Sequence, residues 1–126
     1  MRVLLDTHIV LWWLADDPSL PAQASTVIAD AETEVVVSAA TVWEIEIKRA
    51  AGRLEAPDDI VGALKANDFE TLSITPAHAV AAGRLPAHHS DPFDRMLIAQ
   101  AQIEDFTLVT VDGRLSDYDV ELLPFN

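Results

Sequence analysis

With 126 residues, half of them hydrophobic, the sequence is long enough for one domain with a sizeable core and too short to divide into two. Its 21 acidic residues against 8 lysines and arginines give a formal net charge of −13, so any hypothesis of nucleic-acid binding needs local cations to overcome long-range repulsion. The absence of cysteine excludes a disulfide framework and a thiolate metal site.

The first predicted strand is Arg2–Leu5, and a predicted helix near Thr7–Ala15 follows it. The longest apolar run, Ile9–Ala15, is far shorter than the ~20 residues that a membrane span needs. Asp6 also interrupts the apolar region that a secretory signal would require. We therefore expect no membrane association and a cytoplasmic location.

Helices and strands alternate along the rest of the chain. The further predicted helices lie near Pro21–Ala31, Ala39–Ala51, Asp58–Asn67, Pro76–Ala82 and Pro92–Glu104, and the further predicted strands are Glu34–Ser38, Glu70–Ile74, Phe106–Val111 and Val120–Leu123. Ser38, Thr75 and Asp91 are suitable N-caps for three of these helices. Three of the five strands are apolar on both faces, which is typical of a covered parallel sheet, and the other two are weaker candidates for its edges. The alternation predicts an α/β fold, a three-layer α/β/α sandwich around a central parallel sheet.

Four acidic residues lie close to the carboxyl ends of predicted strands. Asp6 and Asp112 directly end the two strands that we expect at the centre. Glu44 lies about two turns into the helix that leaves the second strand, and Asp94 lies in the first turn of the helix before the fourth. Because ligands bind outside the carboxyl ends of strands in an open parallel sheet, these four acids are expected to converge there.

Each acid also has an ordinary structural interpretation, which stays open at this point. Asp6 could cap the helix that follows it, and Asp112 could form an Asp-Gly turn. Glu44 could pair with Lys48 one helical turn later, and Asp94 could interact with the helix dipole.

A cluster of four carboxylates would be unfavourable without compensation. Two like charges ~4 Å apart repel by ~1 kcal/mol in water and by ~4 kcal/mol at an effective dielectric constant near 20. Such a cluster therefore implies raised pKa values or a bound divalent cation. Oxygen ligands alone favour Mg²⁺ or Mn²⁺ over zinc.

The histidines and arginines give weaker indications. We expect His88 and His89 to be an exposed loop pair and His78 to lie on the surface, whereas His8 could reach the rim of the site. The arginines that border the proposed site, and could hold a phosphate backbone, are Arg49, Arg53, Arg95 and Arg114. No glycine-rich phosphate loop and no serine nucleophile motif can be placed.

Three tryptophans occur in two predicted helices. We expect at least one of Trp12 and Trp13 to pack in the core. A tryptophan left exposed, here or at Trp43, would mark a protein–protein surface.

With these residues in place, the chain resembles a PIN domain, and closely the VapC-type toxins of bacterial toxin–antitoxin pairs. The segment "LLDTHIVLWW" is similar to the first family motif and carries Asp6, and "SAATVWEIEIK" is similar to the second and carries Glu44. The segment "DPFDRMLIAQA" resembles the third and carries Asp94, and "TLVTVD" resembles the last and carries Asp112. The fourth position is Asn in part of the family. The likeness covers essentially the whole chain, so it implies a single PIN domain over residues 1–126 with strand order 3-2-1-4-5.

The resemblance also implies an activity, a cofactor and partners. The activity is a Mg²⁺- or Mn²⁺-dependent endoribonuclease in which Asp6 and Asp94 are the principal metal ligands, while Glu44 and Asp112 complete the catalytic site directly or through water. The metal would polarise a phosphate oxygen and activate water for in-line attack opposite the ribose 3′ oxygen, leaving a 5′-phosphate. The implied partners are the RNA substrate, a second copy of the chain, and a cognate VapB-type antitoxin whose basic segment enters the acidic groove; operator DNA would be bound only through the antitoxin. Asp91 would be a helix cap that could contact a metal through water.

Two rival hypotheses differ in class. A phosphatase of the haloacid dehalogenase type needs a second Asp two positions after the first, where this chain has His8, and a late lysine, but none follows Lys65. A catalytically idle module that binds only an antitoxin and DNA is disfavoured by the presence of all four acids, although their presence alone does not establish activity.

Thr7 and Thr110 could hydrogen-bond the carboxylates as supporting residues.

Overall fold

The computed structural model describes residues 1–125, so Asn126, the last residue of the predicted domain, lies outside the described residues. The strands are β1 (Arg2–Leu5), β2 (Glu34–Ser38), β3 (Glu70–Leu72) and β4 (Thr107–Val109). The helices are α1 (Thr7–Leu14), α2 (Ala22–Ala29), α3 (Ala39–Ala50), α4 (Ile60–Ala66), α5 (Pro76–Arg84) and α6 (Pro92–Glu104), and a 3₁₀-helix spans Gly113–Asp117. Among these helices, none is both long enough and apolar enough to cross a membrane.

The four strands form one parallel sheet in the order β3-β2-β1-β4. The first four positions of the predicted order 3-2-1-4-5 are thereby confirmed, and β1 lies inside the sheet with Leu4 opposite both Val36 and Leu108. The predicted fifth strand, Val120–Leu123, forms only one parallel bridge, between Leu108 and Leu122. It lies beside β4 in the fifth position, where the N–H of Leu108 donates to the backbone oxygen of Glu121 at 2.8 Å and the N–H of Leu123 donates to that of Leu108 at 3.0 Å.

Apolar side chains alternate between the two faces of the sheet and create two cores. On one face Val3 and Leu5 pack with Ile9 of α1 and Ile45 of α3. On the opposite face Leu4, Val36 and Leu108 pack with Leu97 and Ile98 of α6. Burying each such side chain contributes roughly 1.5–3 kcal/mol, so the two cores hold helices against both faces of the sheet. The predicted three-layer sandwich is therefore confirmed.

Helix caps fix where the functional helices begin. Ser38 accepts a hydrogen bond from the N–H of Ala40 at 3.0 Å, and Asp91 accepts one from the N–H of Phe93 at 2.8 Å. Both were predicted as N-caps, and both follow from the preference for short polar side chains at helix starts. The cap at Ser38 starts the helix that carries Glu44, and the cap at Asp91 starts the helix that carries Asp94.

Several predicted boundaries were wrong. The strand predicted as Glu70–Ile74 ends at Leu72. The helix predicted to end at Ala82 continues to Arg84, so Gly83 lies inside α5. The strand predicted as Phe106–Val111 is limited to Thr107–Val109, because Thr110 turns its side chain towards Asp6 instead of continuing the ladder.

Candidate active site

A cleft of about 280 Å³ at the carboxyl edge of the sheet is lined by all four predicted acids, Asp6, Glu44, Asp94 and Asp112. They come from the end of β1, from α3, from the first turn of α6 and from the segment after β4. The convergence that the parallel topology predicted is thus observed, while the roles of the four acids in metal binding and catalysis stay predictions. His8 and Asp91 also line the cleft, as do the cations Lys48 and Arg114.

Asp6 is the most tightly held of these acids. Its side chain is buried, with 6 % of its surface exposed. One carboxylate oxygen accepts a hydrogen bond from the N–H of Thr7 at 2.6 Å, and the other accepts one from the hydroxyl of Thr110 at 2.6 Å. Burial raises the pKa of Asp6 above its usual value, although these two hydrogen bonds act in the opposite direction. Asp6 does cap α1, as the structural interpretation held, but it also presents a buried carboxylate to the cleft.

Glu44 is equally buried and carries its own counter-ion. Its carboxylate accepts a hydrogen bond from the hydroxyl of Thr7 at 2.6 Å. The Nζ of Lys48 lies 2.6 Å from the other carboxylate oxygen, which is the pair that the i,i+4 spacing predicted. The supporting hydrogen bonds expected from Thr7 and Thr110 are therefore both present.

Asp94 lies in a partly buried position among other acids. Burial raises its pKa to about 6, and the nearby charges of Asp6 and Asp91 act in the same direction. The ring Nε2 of His89 lies 2.7 Å from a carboxylate oxygen of Asp94 and partly offsets this effect. An added positive charge beside Asp94 would therefore favour its ionised form.

The prediction of an exposed loop pair was wrong for His89. Its side chain is 7 % exposed and faces Asp94, whereas the neighbouring His88 is exposed and stacks edge-on against Tyr118. The difference depends on how the loop before α6 is held, and nothing in the local sequence distinguishes the two histidines.

The expectation of a surface position was wrong for His78 as well. It is 1 % exposed, accepts a hydrogen bond from the N–H of Thr75 at 3.0 Å and lies 2.9 Å from a carboxylate oxygen of Glu104. A signal for this contact was present in the sequence, because His78 occupies the N3 position of a helix that starts with threonine, where capping boxes form.

Asp112 and Arg114 form the most exposed part of the cleft. Asp112 caps the 3₁₀-helix, and its carboxylate lies 2.7 Å from the guanidinium Nη2 of Arg114. The hydrogen bonds from Arg114 lower the pKa of Asp112. A ring nitrogen of His89, a carboxylate oxygen of Asp94 and one of Asp112 all lie within 4.8 Å of one another, which would allow them to share a metal ion.

Few of the predicted phosphate-binding cations remain available. Arg95 donates to the backbone oxygens of Ala82 and Leu85 at 2.9 and 3.0 Å, and Arg49 donates to that of Ala56 at 2.8 Å. Arg114 lines the cleft, and Arg53 does not.

Side chains in and around the cleft offset part of its negative charge. Lys48 pairs with Glu44, and Arg114 pairs with Asp112. The hydroxyl of Thr110 donates a hydrogen bond to Asp6, and the ring Nε2 of His89 contacts Asp94. These contacts explain how four carboxylates can face one cleft. The donor set, which is rich in carboxylate oxygen and anchored by hydrogen bonds, fits a hard divalent cation.

One exposed aromatic residue lies near this cleft. Trp43 of α3 is 61 % exposed and packs edge-on against Phe93 of α6 at a ring distance of 5.3 Å. Trp12 and Trp13 are instead partly buried against the first core, in agreement with the expectation for that pair.

Comparison with known proteins agrees with this architecture. A family model described as PIN domain matches residues 3–121. Ribonuclease VapC22 from Mycobacterium tuberculosis (strain ATCC 25618 / H37Rv) is 34% identical over 119 residues, which cover 92% of this chain and 91% of that protein. The structure of VapBC2 from Rickettsia felis bound to a DNA fragment from their promoter superposes with a TM-score of 0.72 at 15% identity over all of both chains. A toxin-antitoxin complex from Klebsiella pneumoniae superposes with a TM-score of 0.69 at 15% identity over 98% of each chain.

The family model covers nearly the whole chain, and a relative of similar length matches across it. The fold, with its parallel sheet, also superposes on those of the two solved structures. This chain therefore belongs to the PIN domain family.

Proposed function

We propose that this protein is a single PIN domain that hydrolyses RNA phosphodiester bonds with Mg²⁺ or Mn²⁺ and acts as the toxin of a toxin–antitoxin pair. The observation that carries the proposal is the meeting of four acids, from four separate segments, in one cleft. The 34% identity to a protein named as a ribonuclease supports the choice of RNA as substrate.

Asp6 and Asp94 would be the principal metal ligands, with Glu44 and Asp112 completing the site directly or through water. A divalent ion bound there would supply positive charge opposite the scissile phosphate and would make water a stronger nucleophile. The protein contributes orientation, because the hydroxyls of Thr110 and Thr7 hold the carboxylates of Asp6 and Glu44 at 2.6 Å each. Such supporting contacts commonly change metal affinity or activity by about 10- to 100-fold when they are removed.

The two cations of the cleft would bind the RNA backbone. Arg114 is 67 % exposed, and its guanidinium can rotate from Asp112 towards a phosphate oxygen. Lys48 lies on the other side, beside Glu44. Both would offset the repulsion that the net charge of −13 imposes on a polyanion.

The antitoxin would be a VapB-type protein whose basic segment enters the acidic cleft. The solved neighbours include a VapBC2 complex with promoter DNA and a toxin-antitoxin complex, which supports a partner of this class. Electrostatic attraction between a basic segment and a protein of charge −13 would speed their association. Operator DNA would then be bound through the antitoxin, and the complex would reside in the cytoplasm.

The second copy in a homodimer would dock on the outer face of α3. Trp43 and Ile47, one helical turn apart, are 61 % and 44 % exposed. The ring of Trp43 also packs edge-on against Phe93 of α6, which extends the apolar surface. Exposed aromatic residues of this kind are enriched in protein–protein interfaces.

Light scattering after gel filtration tests the dimer. We expect Trp43→Glu to convert a dimer into a monomer, because the change places a charge in an apolar interface. Val61→Glu, at an apolar position on α4 that is 41 % exposed, is the control and should leave the mass unchanged. A wild-type protein that is monomeric at micromolar concentration would exclude this surface as a dimer interface.

The catalytic proposal is tested by cleavage of a labelled RNA pool. The wild-type protein should cleave with Mg²⁺ or Mn²⁺ and should stop when EDTA is added. Asp6→Asn should abolish cleavage while leaving the metal-free protein at least as stable, because burial already disfavours the charged form of this side chain. Cleavage in EDTA would contradict the mechanism, and a large loss of stability in Asp6→Asn would leave Asp6 as a helix cap only.

The alternative, an idle module that binds only its antitoxin, makes a different prediction. In that case the wild-type protein would bind antitoxin and would cleave no RNA under any metal condition.

A further inference from the structure

Three potential ligand atoms lie together at one side of the cleft. A ring nitrogen of His89 and single carboxylate oxygens of Asp94 and Asp112 are all within 4.8 Å of one another. Atoms bound ~2.1 Å from one octahedral ion lie ~3 Å apart when adjacent and ~4 Å apart when opposite. The observed spacing therefore needs only a small contraction to surround an ion. The atoms lie where the cleft meets a neighbouring depression, since Arg114 lines both and His89 lines the second.

The imidazole of His89 is fixed in this position. Its side chain is 7 % exposed, and its Nε2 lies 2.7 Å from Asp94. Arg95 donates hydrogen bonds to the backbone oxygens of Pro86 and His89 at 2.9 and 3.2 Å, and the hydroxyl of Tyr118 donates to that of Pro86 at 2.9 Å. The backbone on which His89 sits is thus tied to α6 and to the C-terminal segment.

A contact with Asp94 alone could serve merely to orient that carboxylate. Asp112 distinguishes the two roles, because a carboxylate oxygen from this different segment of the chain also lies within 4.8 Å of a ring nitrogen of His89. Orientation of Asp94 needs no second carboxylate, whereas coordination of an ion needs several ligands that converge on one point.

We propose that His89 is a nitrogen ligand of the metal ion in this cleft, and that it makes the site select Mn²⁺ over Mg²⁺; this inference rests on the proposed metal-dependent function. Magnesium prefers oxygen ligands and retains several waters, whereas imidazole binds first-row transition ions. Replacement of one oxygen by an imidazole nitrogen therefore shifts the preference towards Mn²⁺.

Pulsed electron paramagnetic resonance on the full-length protein loaded with Mn²⁺ tests the ligand directly. We expect a nitrogen coupling of the size produced by a bonded imidazole, and we expect it to change when the protein is labelled with ¹⁵N-histidine. The label separates histidine from the amine of Lys48, which also lines the cleft.

Variants identify the histidine. His89→Gln should remove the coupling and weaken Mn²⁺ binding by about tenfold or more in calorimetry, with a smaller change for Mg²⁺. His88→Gln, on the exposed neighbour, should change neither result. His8→Gln should also keep the coupling, although His8 lines the cleft. Thermal unfolding in EDTA checks that each variant is folded, and the wild-type spectrum tests the ligand even if His89→Gln does not fold.

The outcomes separate this inference from the proposed function. Mn²⁺ that binds and supports RNA cleavage without a histidine coupling would overturn the role of His89 alone. A coupling that persists in His89→Gln would overturn it as well and would point to His8. A wild-type protein that binds no Mn²⁺ but cleaves RNA with Mg²⁺ would overturn the inference alone, whereas one that binds neither ion would overturn both the inference and the metal-dependent function.

Discussion

Helix α6 carries an acid near each end that pairs with a histidine from outside the helix, and the two pairs differ in what surrounds them. At the first turn His89 lies 2.7 Å from Asp94, and at the last residue His78 lies 2.9 Å from Glu104. His78 also accepts a hydrogen bond from the N–H of Thr75, so it completes a helix cap. The same pair chemistry therefore stabilises the fold at one end of the helix and contributes to a candidate metal centre at the other. The difference is that Asp94 shares its cleft with the three other acids of the candidate site, Asp6, Glu44 and Asp112.

The largest expected effect separates the acids of the two pairs. Asp94→Asn should lower RNA cleavage by at least about 100-fold, because it removes one of the two principal metal ligands that we propose. Glu104→Gln makes the matched change at the opposite end and should alter cleavage by less than about twofold. Initial rates with a labelled RNA at saturating Mn²⁺ measure both. Equal losses in the two variants would mean that the pairs do not differ in function.

The second effect separates the histidines by stability. His78→Ala should lower the free energy of unfolding by about 2–3 kcal/mol, because it empties a buried position and leaves polar partners unpaired. Urea denaturation of the metal-free protein measures the change, with His88→Ala as an exposed control expected within about 0.5 kcal/mol of wild type. Cleavage per folded molecule should be unchanged in His78→Ala, and a specific loss of activity would place that pair in the catalytic machinery.

The smallest expected effect is a pH dependence of the melting temperature, which tests the partly buried position of Asp94. The pKa of Asp94 is raised from 3.8 to about 6 in the folded protein, so the folded state binds the proton more tightly than the unfolded state. The associated stabilisation is complete below about pH 4 and is lost as the pH rises through about 6. Asn cannot titrate, so in EDTA the melting temperature of Asp94→Asn should exceed that of wild type by about 3–5 °C at pH 7.5 and match it near pH 4. A difference that does not vary with pH would contradict the assignment to Asp94.

The sequence predicted the sheet and the acids well, for the same physical reason. Strands that are apolar on both faces, such as β1 and β2, must be covered on both sides, and this requirement fixes a parallel arrangement whose carboxyl ends lie together. Asp6 and Asp112 follow two such strands, so the place where they meet depends only on topology. Their roles as metal ligands remain predictions, because positions alone do not measure binding.

The remaining features depend on packing between distant segments. Burial of His89 requires the loop before α6 to be tied to Arg95 and Tyr118, and this arrangement has no local signature. The use of Arg95 for backbone oxygens also could not be distinguished from phosphate binding by its position in the sequence. The terminal strand shrank to a single bridge, since edge positions are fixed by few hydrogen bonds.

The ion pairs inside the cleft have a consequence for the order of folding and metal binding. Lys48 and Arg114 already pair with two of its carboxylates, so side chains of the fold itself offset part of the negative charge. Many small metal-dependent domains are unfolded as apoproteins and fold only when the metal binds. If this cleft takes up a divalent ion as proposed, binding would be a late step, and Lys48 and Arg114 would then be free to contact the incoming RNA strand.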